Sequence, residues 1–273
     1  MVQFATSSMF FHEYPIDDIF DFVDEAGCTG IEFWIETPHF WIRGLPVGEV
    51  QRSIAEHPGL APVTVHAPVL DLNPCSINPD IAAISVEYAL RSVSIAGILD
   101  ARIITLHPGR RTAKRTPSAA DYERFDYFID RLRESSRETS VRIAIENMEP
   151  KVNSLLCTPA DMEELLDREP WLSYTLDVAH ALSVSLAEVG EYLSRCGTER
   201  LANVHISATA SGKMHLPVAE NDTVGRVLAM LSGTGYAGNL TLEIEDRNFD
   251  HDLSSEEKIA LLARDVRYLR HNF

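Results

Sequence analysis

Cysteine is scarce in this chain: the four present (Cys28, Cys75, Cys157 and Cys196) stand far apart, with no CxxC pair among them. That spacing argues against a disulfide framework, and all four read as structural residues of a protein from a reduced compartment. Long apolar runs are missing as well. No stretch of 18 apolar residues occurs, and Met1-Val2-Gln3-Phe4-Ala5-Thr6 has no basic segment leading into an apolar core. The expectation is therefore a soluble cytoplasmic protein with no membrane association. Positive charge is also short. With 24 Lys and Arg against 41 Asp and Glu, the formal net charge of -17 disfavours a polyanionic partner such as nucleic acid, although bound divalent cations would cancel several carboxylates.

The glycine-rich markers of nucleotide sites are absent. Ser7-Ser8-Met9-Phe10-Phe11-His12 joins the first strand to the first helix without GxGxxG, and no Walker-type cradle occurs. An open dinucleotide-binding sheet thus lacks its signature. No low-complexity linker interrupts the chain, so residues 1–273 are expected to form a single domain.

What is present is regular alternation. Apolar runs predict strands over residues 2–8, 30–36, 62–66, 102–107, 142–148, 172–177, 201–206 and 239–244. Helical spacing fills the intervals, over 15–27, 47–57, 81–97, 119–139, 159–168, 185–195, 223–231 and 254–269. Local signals agree: Gly27 closes the first helix, Thr158-Pro159 opens the fifth, and Ser185 with Glu188 reads as a capping box, as does Ser254 with Glu257. Eight strand–helix pairs in strict order imply a parallel sheet closed into an α/β (β/α)8 TIM barrel. A chain of 273 residues with 45% hydrophobic content buries roughly three quarters of its unfolded surface and needs no staple.

The strands end in a consistent way. His66 follows Val63-Thr64-Val65, His107 follows Ile103 to Leu106, Glu146 follows Ile143-Ala144-Ile145, and Asp177 follows Leu172 to Leu176. His180 lies three residues on, His205 follows Leu201 to Val204, and Glu243 follows Leu240-Thr241-Leu242. Side chains at the carboxyl ends of parallel barrel strands converge on one mouth. A lone histidine after an apolar run is ordinarily a packing residue; five of them (66, 107, 180, 205 and 215) at one mouth form a set. Glu146, Asp177 and Glu243 would repel one another there without a compensating cation. A divalent metal supplies that charge, and carboxylates mixed with imidazoles suit Zn, Mn, Co or Fe alike. The one basic cluster, Arg110-Arg111-Thr112-Ala113-Lys114-Arg115, follows His107-Pro108-Gly109 and so lies above the same mouth. It reads either as a solvated loop or as a clamp for a substrate phosphate.

In this order the motifs His66-Ala67-Pro68, His107-Pro108-Gly109, Glu146-Asn147-Met148, Asp177-Val178-Ala179-His180-Ala181, His205-Ile206-Ser207, His215 and Leu242-Glu243 carry a resemblance. Over nearly its whole length the chain resembles the xylose isomerase-like barrel superfamily. That superfamily contains the AP endonuclease 2 family (endonuclease IV type) together with sugar and sugar-phosphate isomerases and epimerases. The resemblance implies a metal site of Glu146, Asp177, His205 and Glu243 at the C-terminal mouth. In the nuclease branch it further implies a second metal on His66 and His107 with Glu146 bridging, and a third on His180 and His215 with an aspartate two residues before the last histidine. Here that position is Lys213, whose ammonium has no lone pair and repels a cation. A one-metal isomerase would instead use His180, with Lys213 or His215, to hold substrate oxygens, yet it would not require the retained His66 and His107.

Three uses of the mouth follow. The first is a metal-dependent isomerase or epimerase of a small sugar, sugar phosphate or polyol. In it the metal stabilises an enediolate, Glu146 and Glu243 remove and return the proton, and His180 orients a hydroxyl. Trp34, Glu36, Phe40 and Trp41 would supply an apolar wall and a polar contact, and core packing explains Trp34 equally well. Arg110 would meet a substrate phosphate. The second is a divalent-metal phosphoesterase of the endonuclease IV type acting on abasic DNA, which predicts a basic rim that the sequence scarcely provides. The third is a lyase, a dehydratase or a metal-binding protein without turnover. A homo-oligomer is compatible with all three.

Overall fold

The computed structural model describes residues 2–273. Eight short, buried strands close on themselves: β1 (Gln3–Ser7), β2 (Gly30–Trp34), β3 (Thr64–His66), β4 (Ile103–Leu106), β5 (Arg142–Glu146), β6 (Ser173–Asp177), β7 (Leu201–Ile206) and, after a hairpin of β8 (Ala208–Ala210) and β9 (Lys213–Leu216), β10 (Asn239–Leu242). Every barrel pairing is parallel, in the order β1-β10-β7-β6-β5-β4-β3-β2. Strands such as Ile103-Ile104-Thr105-Leu106 are apolar almost throughout because both faces are covered, one by barrel interior and one by helices. The eightfold alternation read from the sequence is thus a (β/α)8 barrel.

The helices between the strands are α1 (Ile16–Glu25), α2 (Pro38–Trp41), α3 (Val47–Glu56), α4 (Pro79–Ile98), α5 (Ala119–Ser136), α6 (Pro159–Arg168), α7 (Val178–Leu182), α8 (Leu186–Cys196), α9 (Asp222–Gly233) and α10 (Ser255–Asn272). Their starts are set by side chains that accept the orphan backbone N–H groups of a first turn. Thr158 caps α6, Ser185 caps α8, and Ser118 with Asp121 and Ser254 with Glu257 form capping boxes on α5 and α10. Helix α4 is long and apolar enough to cross a membrane by length and composition alone. It packs instead along β3, β4 and α5, burying Val86, Ala89, Val93, Ile95 and Ala96.

Three local departures from the sequence reading matter for the site. Several strands stop one to two residues short of their apolar runs, so that Glu243 lies just past β10 and His107 just past β4. The stretch after β7, to which the sequence reading assigns no strand, folds as the β8–β9 hairpin. Asp177 ends β6 and immediately caps the short helix α7 by accepting from the His180 N–H at 2.6 Å.

Candidate metal centre and active site

Strand register brings the ligand-type side chains together. Asp177 on β6 pairs in register with His205 on β7, and His205 with Thr241 on β10, one residue short of Leu242-Glu243. Glu146 ends β5 and His66 ends β3. Glu146, Asp177, His205 and Glu243 each turn one donor atom inward, all within 4.8 Å of one another. His205 Nδ1 lies 3.0 Å from Glu243 Oε2 and 3.5 Å from Glu146 Oε1. Two further groups of the same kind adjoin the first: His66, His107 and Glu146, and Asp177, His180 and His215. Glu146 belongs to two of them, with Oε2 at 3.1 Å from His107 Nε2 and 3.4 Å from His66 Nε2.

The imidazoles are oriented by backbone carbonyls. His66 Nδ1 donates to the Ala67 carbonyl at 2.7 Å and His180 Nδ1 to that of Asn147 at 2.8 Å, so Nε2 is the ring nitrogen that each has left to offer. Asn147 also joins the two carboxylate strands, accepting from the Asp177 N–H at 2.7 Å and donating to the Asp177 carbonyl at 3.1 Å. His215 sits on β9 with φ of 57°, in the left-handed region that a histidine enters only when its surroundings hold it there.

The electrostatics are those of acids and imidazoles forced together. Burial pushes Asp177 upward to about 6; Glu243 and Glu146 add to the push, and His180 and His215 offset part of it. Burial also acts on Glu146 and Glu243, but His107 and His205 outweigh it for the first, and His205 and His215 for the second, so both carboxylates stay below their usual range. His205 is held well above the ordinary imidazole value: burial lowers it, and Glu32, Glu243 and Glu146 overcome that.

Several of these atoms lack hydrogen-bond partners among the described residues. Asp177 Oδ2, Glu243 Oε2, both His205 ring nitrogens and Glu32 Oε1 are buried and unpartnered. Glu32 Oε1 is only 2.9 Å from His205 Nε2, but the ring N–H does not aim at it, so the contact is an ion pair rather than a hydrogen bond. Buried polar atoms are left bare at a cost of about 1–3 kcal/mol each unless something else meets them. A divalent cation among Glu146, Asp177, His205 and Glu243 fits that requirement, with three oxygen donors and one imidazole suited to Zn, Mn, Co or Fe.

The sequence reading missed Glu32. It sits inside β2 among Gly30, Ile31, Phe33 and Trp34, fully buried, and forms the floor of the centre. Asn203 Nδ2 and Thr64 Oγ1 donate to its Oε2 at 2.5 and 3.3 Å, and Thr241 Oγ1 donates to Asn203 Oδ1 at 2.9 Å. A carboxylate within an Ile-Phe-Trp run was the available signal.

The other anticipated contacts divide. Trp34 stacks on His66 with ring centroids 3.8 Å apart and 10° between planes, and its buried Nε1–H has no partner. Phe40 is core, packed edge-on against Phe33. Two expectations need correction. The Glu36 carboxylate accepts from the Val69 and Leu70 N–H groups at 2.7 and 3.0 Å, so it pins the loop after β3 instead of facing substrate. Lys213 is exposed, and its ammonium donates to the Asn248 carbonyl at 3.2 Å; the turn between β8 and β9 carries it away from His215 and the ligand groups. Arg110 lines a cavity of about 420 Å³ that opens on His107 and His180.

The family model described as xylose isomerase-like TIM barrel matches residues 20–270. An uncharacterized protein of Methanocaldococcus jannaschii is 31% identical over 276 residues, covering 98% of each chain. Among solved structures, the chain is similar to a D-tagatose 3-epimerase-like protein at 20% identity, with a TM-score of 0.77 and 98% of both chains covered. It is similar also to the D-allulose 3-epimerase from Methylomonas sp. in complex with D-allulose, at 15% identity and a TM-score of 0.77, covering 100% of this chain and 97% of that one. At such identities the two structures speak for the fold.

Proposed function

The chain belongs to the xylose isomerase-like TIM barrel family, and from that premise we propose that it is a metal-dependent isomerase or epimerase of a small sugar, sugar phosphate or polyol. The observation that carries this reading is the convergence of two carboxylates, the buried Glu146 and the partly buried Glu243, on His205 Nδ1 at the barrel mouth. Sugar epimerases among the similar structures, one of them in complex with D-allulose, support the substrate class.

Glu146, Asp177, His205 and Glu243 would hold the cation. When bound there, it supplies Lewis-acid polarisation of adjacent carbonyl and hydroxyl oxygens of the sugar. The protein's own groups perform the proton transfer. Glu146 and Glu243 are kept ionised by the neighbouring imidazoles, so either can accept the proton from the carbon beside the carbonyl, and the other can return one. His180 commits Nδ1–H to the Asn147 carbonyl and accepts from a substrate hydroxyl through Nε2, fixing that hydroxyl's direction. Trp34 closes the wall behind His66, stacked on its ring.

Solvent exchange tests the reading. Protein loaded in turn with Mn, Co, Zn and Fe is incubated in D2O with a panel of ketoses and ketose phosphates; deuterium enters the carbon beside the carbonyl, and Glu243→Gln abolishes the uptake. Wild-type protein that binds a cation and exchanges none of the panel overturns the proposal.

A second reading has its own observation. The groups His66–His107–Glu146 and Asp177–His180–His215 add two more places for a cation, as a multi-metal phosphoesterase of the endonuclease IV type would use. A bound-metal count of three, with nicking of abasic duplex at low salt, selects it; a count of one with no nicking removes it.

A further inference from the structure

The chain contains four lysines in 273 residues: Lys114, Lys151, Lys213 and Lys258. Two of them, Lys114 and Lys151, line the cavity of about 420 Å³ that opens on His107 and His180, and Arg110 lines it as well. Scarce cations in a chain of net charge -17 have thus been gathered beside the candidate centre. Among the described residues neither Arg110 nor Lys114 has a carboxylate within 4.0 Å, whereas their neighbours Arg111 and Arg124 are both paired with Asp121. Lys151 has one, Glu149 at 2.5 Å, so the cavity carries a net excess of two fixed positive charges.

The backbone at Arg110 is fixed by both neighbouring loops, which separates that position from an ordinary solvated loop. Arg110 bridges to Ser154, the Arg111 N–H donates to the Asn153 carbonyl at 3.0 Å, and Asn153 Nδ2 donates to the Arg111 carbonyl at 2.8 Å. The loops after β4 and β5 are thereby joined. Asn73, from the loop after β3, holds both sides of Arg110: its Oδ1 accepts from the Arg110 N–H at 3.0 Å and its Nδ2 donates to the Arg110 carbonyl at 2.9 Å. Gly109 makes this approach feasible, for its φ is 82° and a Cβ there would lie 2.9 Å from Asn73 Oδ1.

Resting on the isomerase reading, we infer that the substrate is phosphorylated and that Arg110, Lys114 and Lys151 form the subsite for its phosphate monoester, in the cavity between the loops after β3, β4 and β5. A dianion there pairs with the two cations that lack a carboxylate and draws Lys151 away from Glu149. The reacting carbons then extend past His107 and His180 toward Glu146 and Glu243.

The test uses metal-loaded protein and inorganic phosphate as the probe, titrated calorimetrically at low ionic strength. Phosphate binds the wild type; Arg110→Ala weakens it about tenfold, and Lys114→Ala/Lys151→Ala weakens it about a hundredfold, each tenfold being the loss of one charge-assisted contact. Lys114→Arg/Lys151→Arg stays within about threefold of wild type, showing that charge is what matters. Equal phosphate affinity in wild type and the double alanine variant places the phosphate on the metal alone and overturns the subsite. So does binding of abasic duplex that needs these cations when inorganic phosphate does not bind. The double variant also raises KM for ketose phosphates more than for the free ketoses. If no ketose or ketose phosphate exchanges deuterium, the isomerase reading fails while the phosphate titration still decides the subsite. If ketoses exchange but phosphate affinity ignores the variants, only the subsite fails.

Discussion

Replacing Asp177 by asparagine should make the metal-free protein more stable while removing its response to metal. The folded carboxyl is raised to about 6 by burial and by Glu243 and Glu146, against about 3.9 for an unperturbed aspartate. A raised carboxyl pKa means that the folded state holds the proton more tightly than the unfolded chain. Below about 3.9 both states are protonated and nothing is lost; as pH rises toward 6 a penalty grows, and above it the full amount applies. That amount is on the order of 3 kcal/mol at neutral pH. Asparagine carries no charge, still accepts from the His180 N–H through its Oδ1, and places donors where the unpartnered Oδ2 stood. With about 2.1 cal/mol/K of unfolding entropy per residue over 273 residues, 3 kcal/mol corresponds to about 5 °C. Calorimetry in EDTA at pH 7.5 should therefore show Asp177→Asn melting up to about 5 °C above wild type, with the gap falling to about a third at pH 4.5. Free Mn at about a hundred times its Kd then raises the wild type by about 2.7 kcal/mol, again about 5 °C, and leaves the variant where it was. A variant that melts below wild type by the same margin at both pH values would refute the argument, because its loss would come from packing and not from a buried charge.

Glu32→Gln keeps the shape of the floor but places an amide where Oε2 accepts from Asn203 Nδ2, or else turns that amide toward His205 Nε2; competition with a chelating dye should show metal affinity down about 10–100-fold. Unchanged affinity would remove Glu32 from the centre. Because Glu146 belongs to two ligand groups, Glu146→Gln should lower the bound-metal count further than His107→Ala when both are measured by elemental analysis, and equal counts contradict the shared role. Far from the mouth, Glu169 accepts from Arg133 and Trp171, which hold its carboxyl below the usual range against the upward push of burial. A depressed folded pKa gives stability that is present above the unfolded value of about 4.3 and lost as pH falls through the folded one. Glu169→Gln should thus cost about 1 kcal/mol in denaturant unfolding at pH 7 and close on wild type near pH 3.5; a constant difference at both pH values speaks against the ion pair.

The barrel and most of its mouth were legible because parallel strands advertise themselves twice. Their apolar runs are continuous where both faces are covered, and the first polar residue after each run marks the carboxyl end. That is how Glu146, Asp177, His205 and Glu243 could be named from spacing and resemblance alone, and the geometry does bring their donor atoms within 4.8 Å. The signal fails where a polar residue lies inside a strand. Glu32 interrupts β2 without ending it, and only the closed ring reveals that its side chain meets His205, Asn203 and Thr64. It fails again after β7, where Ala208 to Leu216 pairs as a hairpin of three and four residues. Strands so short carry too few residues to show a period of two.

The hairpin also changes what Lys213 means. From sequence, a lysine in place of an aspartate ligand looks like a cation set against a metal, and so like evidence that a third site has been dismantled. In the fold the turn at Ser211 and Gly212, both with positive φ, directs Lys213 outward to the Asn248 carbonyl, while His215 two residues later points back into the centre. The substitution therefore removes a donor without adding a charge to the mouth. Asp177, His180 and His215 keep three donors within reach of one ion, a set that lacks one carboxylate compared with the nuclease pattern. Fewer anionic donors weaken a divalent site without abolishing it, so occupancy there should depend on metal concentration more steeply than at the Glu146, Asp177, His205 and Glu243 group. With residue 213 directed outward, Lys213→Asp should leave both titration steps where they are; a weaker step moved to lower metal concentration would mean that the hairpin turns far enough for residue 213 to reach the ion, and would refute this reading.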